Sequence, residues 1–353
     1  MPFAPDPEAP LFITGATGFI GSHVARAFHR AGYANLRLLA RDPKGLSVVE
    51  DVPHAVVRGD LRDEDALHFG LKGAKGVVHL AADYRMWVRD PHELDAVNVD
   101  AAQRLAELAL EHGVQRFLHC SSVAAIGRPG VTSWPSDESV PWNLAWTGDP
   151  YTISKHEGEE AVREVFTEGL PGLIVNPSAP IGPGDIRPTP TGQMIVDFLN
   201  RRIPAYFDGG FDMVDVEDLA AGFVLAYEHG REHENYILGG DNVTLQQIYL
   251  TAEELSGVPA PRLKLPDWAV VQAAQLYELA AKWFGMRPIL TVGGAKMVML
   301  PPWYDDTKAR QELGYTTRPF KAALERALID FYKRGLAVPP PRSPMRRLLG
   351  IGE

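Results

Sequence analysis

Tyr151-Thr152-Ile153-Ser154-Lys155 sets a phenol and an ammonium four residues apart. On a helix, positions i and i+4 share a face, with Cβ atoms about 5–6 Å apart. An ammonium beside a phenol favours the phenolate and lowers a pKa that starts near 10. Tyr151 could then act as a general acid or base around neutrality. Alone, the Y-x-x-x-K spacing is a commonplace surface pair. Here Ser121-Ser122 precedes it at the end of an apolar run, 29–30 residues upstream. A hydroxyl at that point can orient a carbonyl or an alcohol toward the phenol.

A second constellation is Thr14-Gly15-Ala16-Thr17-Gly18-Phe19-Ile20-Gly21. Leu11-Phe12-Ile13 before it suits a buried strand, and Ser22 to Arg30 after it has helical spacing, with Gly32 as the stop. A glycine-rich turn between strand and helix presents backbone N–H groups and a positive helix end to a phosphate. Glycine is needed where a side chain would strike a pyrophosphate or the packed strand.

These residues must be positioned by a scaffold, and the first half of the chain supplies one. Strand patterns at Leu36–Ala40, Val56–Val57, Val77–Leu80 and Phe117–Ser121 alternate with helical ones, including Ala96–His112. Such alternation predicts an α/β fold with a doubly wound parallel sheet. After Asn176 a Pro/Gly-rich stretch, Pro177 to Pro190, changes the texture. The expected organisation is a dinucleotide-binding domain over 10–176 plus returning segments at about 212–240. A smaller, discontinuous substrate domain takes about 177–211 and 241–335, and 336–353 is a tail.

Composition narrows the function. A net charge of -10 argues against non-specific nucleic-acid binding, and no basic run precedes Arg342, Arg346 and Arg347. Cys120 is the only cysteine, which excludes an internal disulfide and points to a reducing compartment. Met1 to Pro10 lacks the apolar core of a signal peptide. Trp268 to Phe284 is the most apolar long segment, but Gln272, Gln275, Glu278 and Lys282 give it the pattern of an amphipathic helix. A cytoplasmic protein with no integral membrane segment is expected. Its partner would be a small-molecule substrate, with a homodimer as an open option. His79, His112, His119 and Cys120 lack any metal-ligand spacing, so no metal site is expected.

The Gly15/Gly18/Gly21 turn, Asp60-Leu61, Ala81-Ala82, Ser122, Tyr151/Lys155 and Asn176-Pro177 occur in the order of the extended short-chain dehydrogenase/reductase superfamily. The resemblance runs to Asp306-Thr307-Lys308-Ala309 and Leu313-Gly314-Tyr315 near the end. Within that superfamily the chain is similar to the dihydroflavonol reductase-like branch. His79–Trp87 and Asn176–Thr191 especially resemble hopanoid-associated sugar epimerases. The resemblance implies a Rossmann-type sheet, Ser122 as catalytic serine, Tyr151 as proton donor or acceptor, and Lys155 binding the nicotinamide ribose. It also implies cofactor contacts from Thr17, Phe19, Ile20 and Ser121 in the matching motifs. Asp60 and Leu61 would hold the adenine, Leu80, Ala81 and Ala82 would line the dinucleotide, and Pro177 and Ser178 would sit beside the nicotinamide. Asn98 falls where the family often has an asparagine, as a structural cap or a proton relay.

NAD-specific folds place an acid at the end of the second strand. Here Ala40 takes that position, followed by Arg41, with Lys44 in reach. A small residue leaves room for a 2′-phosphate, and guanidinium suits phosphate. NADP(H) is therefore expected, with NAD(H) as the alternative should Asp42 fall in the acid's register. Nucleotide-sugar members usually carry Arg-Asp-Tyr-x-His-Val-x-Asp, where this chain has Phe211-Asp212-Met213-Val214-Asp215-Val216-Glu217-Asp218. Losing the cation and adding an acid disfavours a diphosphate, although Arg187, Arg201 and Arg202 could restore a phosphate site. The expected activity is reduction of a carbonyl on a hydrophobic or aromatic molecule. The alternatives are a sugar epimerase or dehydratase and, more remotely, a dinucleotide sensor without turnover. Asp83, Tyr84, Met86, Trp87, Thr189, Phe211 and Met213 are candidate substrate contacts. Trp134, Trp142 and Trp146 are divided between lid and packing roles, and His79 and His119 are read as core.

Overall fold

Alternate residues of the first strand, β1 (Leu11–Thr14), feed two different cores. Leu11 and Ile13 join one apolar cluster and Phe12 joins another. Double burial of this kind belongs to a parallel strand covered by helices on both faces. A computed structural model describes residues 4–129, 135–284, 291–300, 303–341 and 343–350.

The further strands are β2 (Leu36–Ala40), β3 (Ala55–Arg58), β4 (Gly76–His79), β5 (Arg116–Cys120) and β6 (Gly172–Pro177). After them come β7 (Ala179–Ile181), β8 (Ala205–Tyr206), β9 (Gly210–Asp215), β10 (Asn235–Leu238), β11 (Asp241–Thr244) and β12 (Leu263–Lys264). The large sheet has seven strands in the order β10-β6-β5-β4-β1-β2-β3, and every pairing in it is parallel. Chain order therefore reverses between β1 and β4. That crevice is where ligands bind in doubly wound sheets.

Helices α1 (Phe19–Arg30), α2 (Glu64–Leu71), α3 (His92–Asp95), α4 (Ala101–Glu111) and α5 (Pro150–Thr167) belong to the first half. Then follow α6 (Pro190–Leu199), α7 (Val216–His229), α8 (Leu245–Ser256), α9 (Asp267–Phe284), α10 (Val292–Met299), α11 (Thr307–Leu313), α12 (Phe320–Lys333) and α13 (Pro344–Leu348). Val24 and Phe28 of α1, Phe223 of α7 and Leu313 of α11 cover one face of the sheet. Leu67 of α2, Leu105 of α4 and Phe166 of α5 cover the other. Arg116, fully buried on β5, donates to Tyr227 O at 2.9 Å and Ala226 O at 3.1 Å. It thereby satisfies the Tyr227 carbonyl at the C-terminal end of α7 and adds a second donor to the Ala226 carbonyl, which Gly230 N already caps at 2.9 Å.

Two departures from the sequence reading concern helices. α1 begins at Phe19, straight after the glycine turn, rather than at Ser22. The continuous helix expected over Ala96–His112 is interrupted by a π-helical turn at Ala96–Asp100. That turn swings the buried Asn98 inward, where its Oδ1 accepts from Asp83 N at 2.7 Å and its Nδ2 donates to Asp83 O at 2.9 Å and Ser154 Oγ at 3.0 Å. Asn98 thus pins the backbone leaving β4 to the helix of Tyr151.

The return to the large sheet is made by β10, beside β6, and by α7 against α1. β9 instead joins β7 and β11 in a separate three-stranded sheet of order β11-β9-β7. This sheet packs with α6, α8 and α12 around a third core that includes Phe198, Ile248 and Phe331. The structure so describes a smaller body built largely from the later chain. Trp134, Pro302 and Arg342 lie outside the described residues.

Candidate active site

Because neighbouring strands are parallel, their C-terminal ends align along one edge. That edge collects Gly15 after β1, Arg41 after β2, Asp60 and Leu61 after β3, Leu80 to Ala82 after β4, Ser121 and Ser122 after β5, and Pro177 and Ser178 at and after the end of β6. Residues far apart in sequence are thereby lined up across the crevice.

The glycine turn fits a dinucleotide. Gly15 has φ +77°, a left-handed conformation, and a Cβ there would lie 2.6 Å from Ala81 N. A Cβ on Gly21 would lie 2.1 Å from Gly15 O. Gly18 caps α1 without any side-chain hydrogen bond, so its helix N-terminus is not filled by a capping group from the chain. Thr17 and Gly18 are exposed, and Phe19 and Ile20 are partly so. Ser121 Oγ is buried without a hydrogen-bond partner at the end of β5.

Tyr151 and Lys155 occupy the first two turns of α5, whose N-cap Asp149 accepts from Thr152 N at 2.8 Å. The Ser122 side chain lies near enough to the phenol to favour its ionised form. Ser122 Oγ accepts from Ala124 N at 3.1 Å, which fixes its rotamer. The expected lowering of the tyrosine pKa is corrected here. Burial pushes Tyr151 up to about 12, against the smaller opposing effect of the Ser122 side chain. Lys155 Nζ donates instead to Cys120 O at 3.0 Å. Its own ammonium is made less basic by burial. The phenol is accordingly held protonated at neutral pH, the form a proton donor needs.

A buried polar network that the sequence did not disclose lies behind Ser122. Asn176 Nδ2 donates to Ser122 O at 3.0 Å and to Glu159 Oε2 at 2.8 Å. Asn235 Nδ2 donates to Glu159 Oε1 at 2.6 Å, and Arg163 Nη2 reaches the same oxygen at 2.9 Å. Glu159 therefore ties α5, β6 and β10 to the serine's backbone. Only its place one turn after Lys155 hinted at a role. His79 is fully buried, with Nδ1 2.7 Å from Thr14 Oγ1, and burial pulls it down to about 3. His119 is buried beside it, with neither ring nitrogen hydrogen-bonded.

At the ribose end, β2 stops at Ala40, the position read from sequence as the acid's. Asp42 is turned away: its Oδ1 accepts from Lys44 N at 3.0 Å as the cap of the Pro43–Val49 turn. Arg41 and Lys44 are exposed. Arg62, overlooked in the sequence, holds Asp60 with Nε 2.7 Å from Oδ1, whereas Arg41 Nε lies 3.9 Å from the other oxygen. Arg62 above all keeps the Asp60 carboxyl below the usual range.

Of the substrate candidates the structure contradicts one, Met213, and leaves the others at least partly accessible. Met213 is 1% exposed and packed in the core of the smaller body, so it cannot touch a ligand. Phe211 is partly buried against that same core. Asp215, read as repelling a diphosphate, caps α7 through Glu217 N at 2.8 Å and pairs with Arg326 at 2.8 Å. Its charge is spent internally. Thr189 caps α6 and donates to Asp185 Oδ2 at 2.9 Å. Asp83 is paired with Arg85 at 2.6 Å. Tyr84 is exposed, and Met86 and Trp87 are partly so, on the segment after β4. Trp142 is a packing residue, stacked on His156 at 4.1 Å. Trp146 is exposed.

Asp212, between Phe211 and Met213, is a buried carboxyl that burial pushes up to about 7, although Gly240 N donates to it at 2.6 Å. The folded protein thus holds a proton that the unfolded chain releases near pH 4. Stability from this group is present below that pH and lost as pH rises through about 7. Asp212→Asn keeps an acceptor for Gly240 N. It should raise Tm at pH 8 by several degrees and at pH 5 by clearly less. Equal gains at both pH values in thermal melts would contradict the shift.

Comparison with known proteins identifies the family. Residues 11–239 match the NAD dependent epimerase/dehydratase family. A provisionally assigned dihydroflavonol 4-reductase from Synechocystis sp. is 37% identical over 329 residues, covering 92% of this chain and 95% of that protein. Sterol demethylase protein B from Methylococcus capsulatus is 32% identical over 333 residues, covering 92% and 98%. The crystal structure of gox2253 matches with a TM-score of 0.83 at 39% identity, covering 94% of this chain and all of that one. The chain belongs to the NAD-dependent epimerase/dehydratase family of extended short-chain dehydrogenase/reductases, and is an oxidoreductase-type, NAD(P)-dependent enzyme.

Proposed function

We propose that the enzyme reduces a carbonyl on a hydrophobic or aromatic small molecule, using NADPH. One observation carries the substrate class. Phe211 stands where nucleotide-sugar enzymes of this superfamily usually have an arginine, and it is seated against an apolar core. The two arginines that approach the same segment are already engaged. Arg318 binds Asp218 at 2.6 Å, and Arg326 binds Asp215 and Glu217. A diphosphate would therefore meet a phenyl ring instead of a cation. The similarity to a protein named for sterol demethylation supports a hydrophobic substrate.

When bound, the nicotinamide supplies the hydride. The chain's own part is to orient the carbonyl and to deliver a proton. Ser122, its hydroxyl fixed by Ala124 N, hydrogen-bonds the carbonyl oxygen. Tyr151, protonated by virtue of its burial, gives that oxygen its proton as the alkoxide forms. Lys155, anchored on the Cys120 carbonyl, would meet the nicotinamide ribose.

The test is a panel assay with NADPH. Cyclic and aromatic ketones are compared with nucleotide sugars, following both product and absorbance at the nicotinamide band. One NADPH should be consumed per hydrophobic alcohol formed. Inversion of a sugar centre with no net absorbance change would overturn the reading in favour of an epimerase.

A further inference from the structure

Helix α9 is amphipathic in the reverse sense. Its buried positions are small: Val270, Ala274 and Ala281. Four of its large apolar side chains are exposed on one side, Trp268 at 71%, Leu276 at 68%, Leu279 at 54% and Trp283 at 78%, while Tyr277, at 42%, lies on the opposite side. At about 100° per residue, these four and the exposed Gln272 and Gln275 fall within one arc of roughly 100°. No charged residue interrupts the arc. A surface helix normally turns its large apolar residues inward, and a contiguous exposed patch of this kind marks an interaction surface.

The patch is joined to the catalytic helix. α9 packs on α10. A Cβ on Gly293 of α10 would lie 2.8 Å from Cβ of Asp149, the N-cap of α5. Lys296 of α10 lies over the Trp146 ring at 5.7 Å.

We propose that this face of α9 seats in the interface of a zwitterionic lipid bilayer, from which the enzyme draws its substrate. The proposal rests on the hydrophobic-substrate reading given above. Apolar members of that class partition into lipid, where an enzyme seated on the bilayer would meet them. Tryptophans at both ends with leucines between them suit the boundary between headgroups and acyl chains. An 18-residue helix, about 27 Å long, can lie along that boundary. Among the described residues no helix is long and apolar enough to cross a membrane, so the contact is shallow. Charge selects the lipid. Among the described residues the arc carries no cation, Lys264 beside Trp268 is paired with Asp208 at 2.8 Å, and a net charge of -10 opposes a negative surface. The same charge on a second copy disfavours self-association through this face.

The experiment is flotation of the full chain with phosphatidylcholine vesicles, without substrate. The wild type should float with the vesicles. Replacing a third of the lipid by phosphatidylglycerol should not strengthen binding, and raising salt to 1 M should not weaken it. The double variant Leu279→Glu/Trp283→Glu should lose at least tenfold in partitioning while keeping its thermal unfolding midpoint. Gln272→Glu, milder and already solvent-facing, should lose part of the binding and guards against a folding artefact. Failure of the wild type to float overturns the proposal, as does binding that needs anionic lipid or survives the glutamates. A dimer that these glutamates dissociate, with no vesicle binding, would assign the face to a second copy instead. Turnover of detergent-dispersed ketone by a protein that does not float would sink this proposal and leave the reductase reading standing.

Discussion

Tyr151→Phe is expected to lower kcat on the best substrate by about 10²–10⁴-fold, the usual worth of a positioned general acid. Cofactor affinity should stay nearly intact. The substitution removes one oxygen and nothing that supports the fold: Ser122 keeps its bond from Ala124 N, and its carbonyl stays held by Asn176. KM should change little, because the lost interaction is made mainly as charge develops on the substrate oxygen. Lys155→Ala provides the contrast. Its ammonium is buried and anchored on Cys120 O at 3.0 Å, and under the proposed role as the ribose contact both turnover and cofactor affinity should fall. Nicotinamide fluorescence titrations beside steady-state rates separate the two patterns. A Tyr151→Phe enzyme with near-parent kcat would show that the phenol is not the proton donor.

The features legible in sequence were local ones. The glycine turn, the Tyr151–Lys155 spacing and the strand-end serines each state their geometry within a few residues, and parallel pairing then lines them up without further information. What escaped depends on contacts between distant segments. Nothing near Met213 reveals that β9 pairs with β7 and β11, which buries that side chain. Asp215 looks like a free acid until Arg326, 111 residues later, is folded against it. Glu159 is one more acidic residue on a helix until Asn176 and Asn235 converge on it from two strands. The π-helical turn at Asn98 escaped for the same reason. The inward pull on that side chain comes from Asp83 and Ser154, outside the helix. Helical spacing brings Lys155 near Tyr151, but the Cys120 carbonyl claims the ammonium.

The second large effect is expected at the adenosine end. Arg41→Ala/Lys44→Ala should weaken NADPH binding far more than NADH binding. A charge-assisted hydrogen bond is worth about 1.5–3 kcal/mol, or about 10–150-fold in affinity for each lost contact. Solvent exposure and salt will reduce that, so the loss should be larger at low ionic strength. Four features of the geometry support the assignment. Ala40 ends β2 and carries no carboxylate to reject a phosphate. Asp42, the one acid that a shifted register could offer to NAD, is occupied in capping the turn that begins at Pro43. Arg62 already satisfies Asp60 at 2.7 Å, so Arg41, at 3.9 Å from it, gives up little by turning to a ligand. That turn also lies against the glycine cradle, since a Cβ on Gly45 would be 3.2 Å from Thr17 Cγ2. A phosphate on the 2′ oxygen of a dinucleotide held at Gly15–Gly21 would therefore meet these cations. Isothermal titration of both cofactors to parent and variant decides the matter. Equal losses for the two cofactors, or tighter NADH binding by the parent, would assign the site to NAD and leave Arg41 and Lys44 as surface charges.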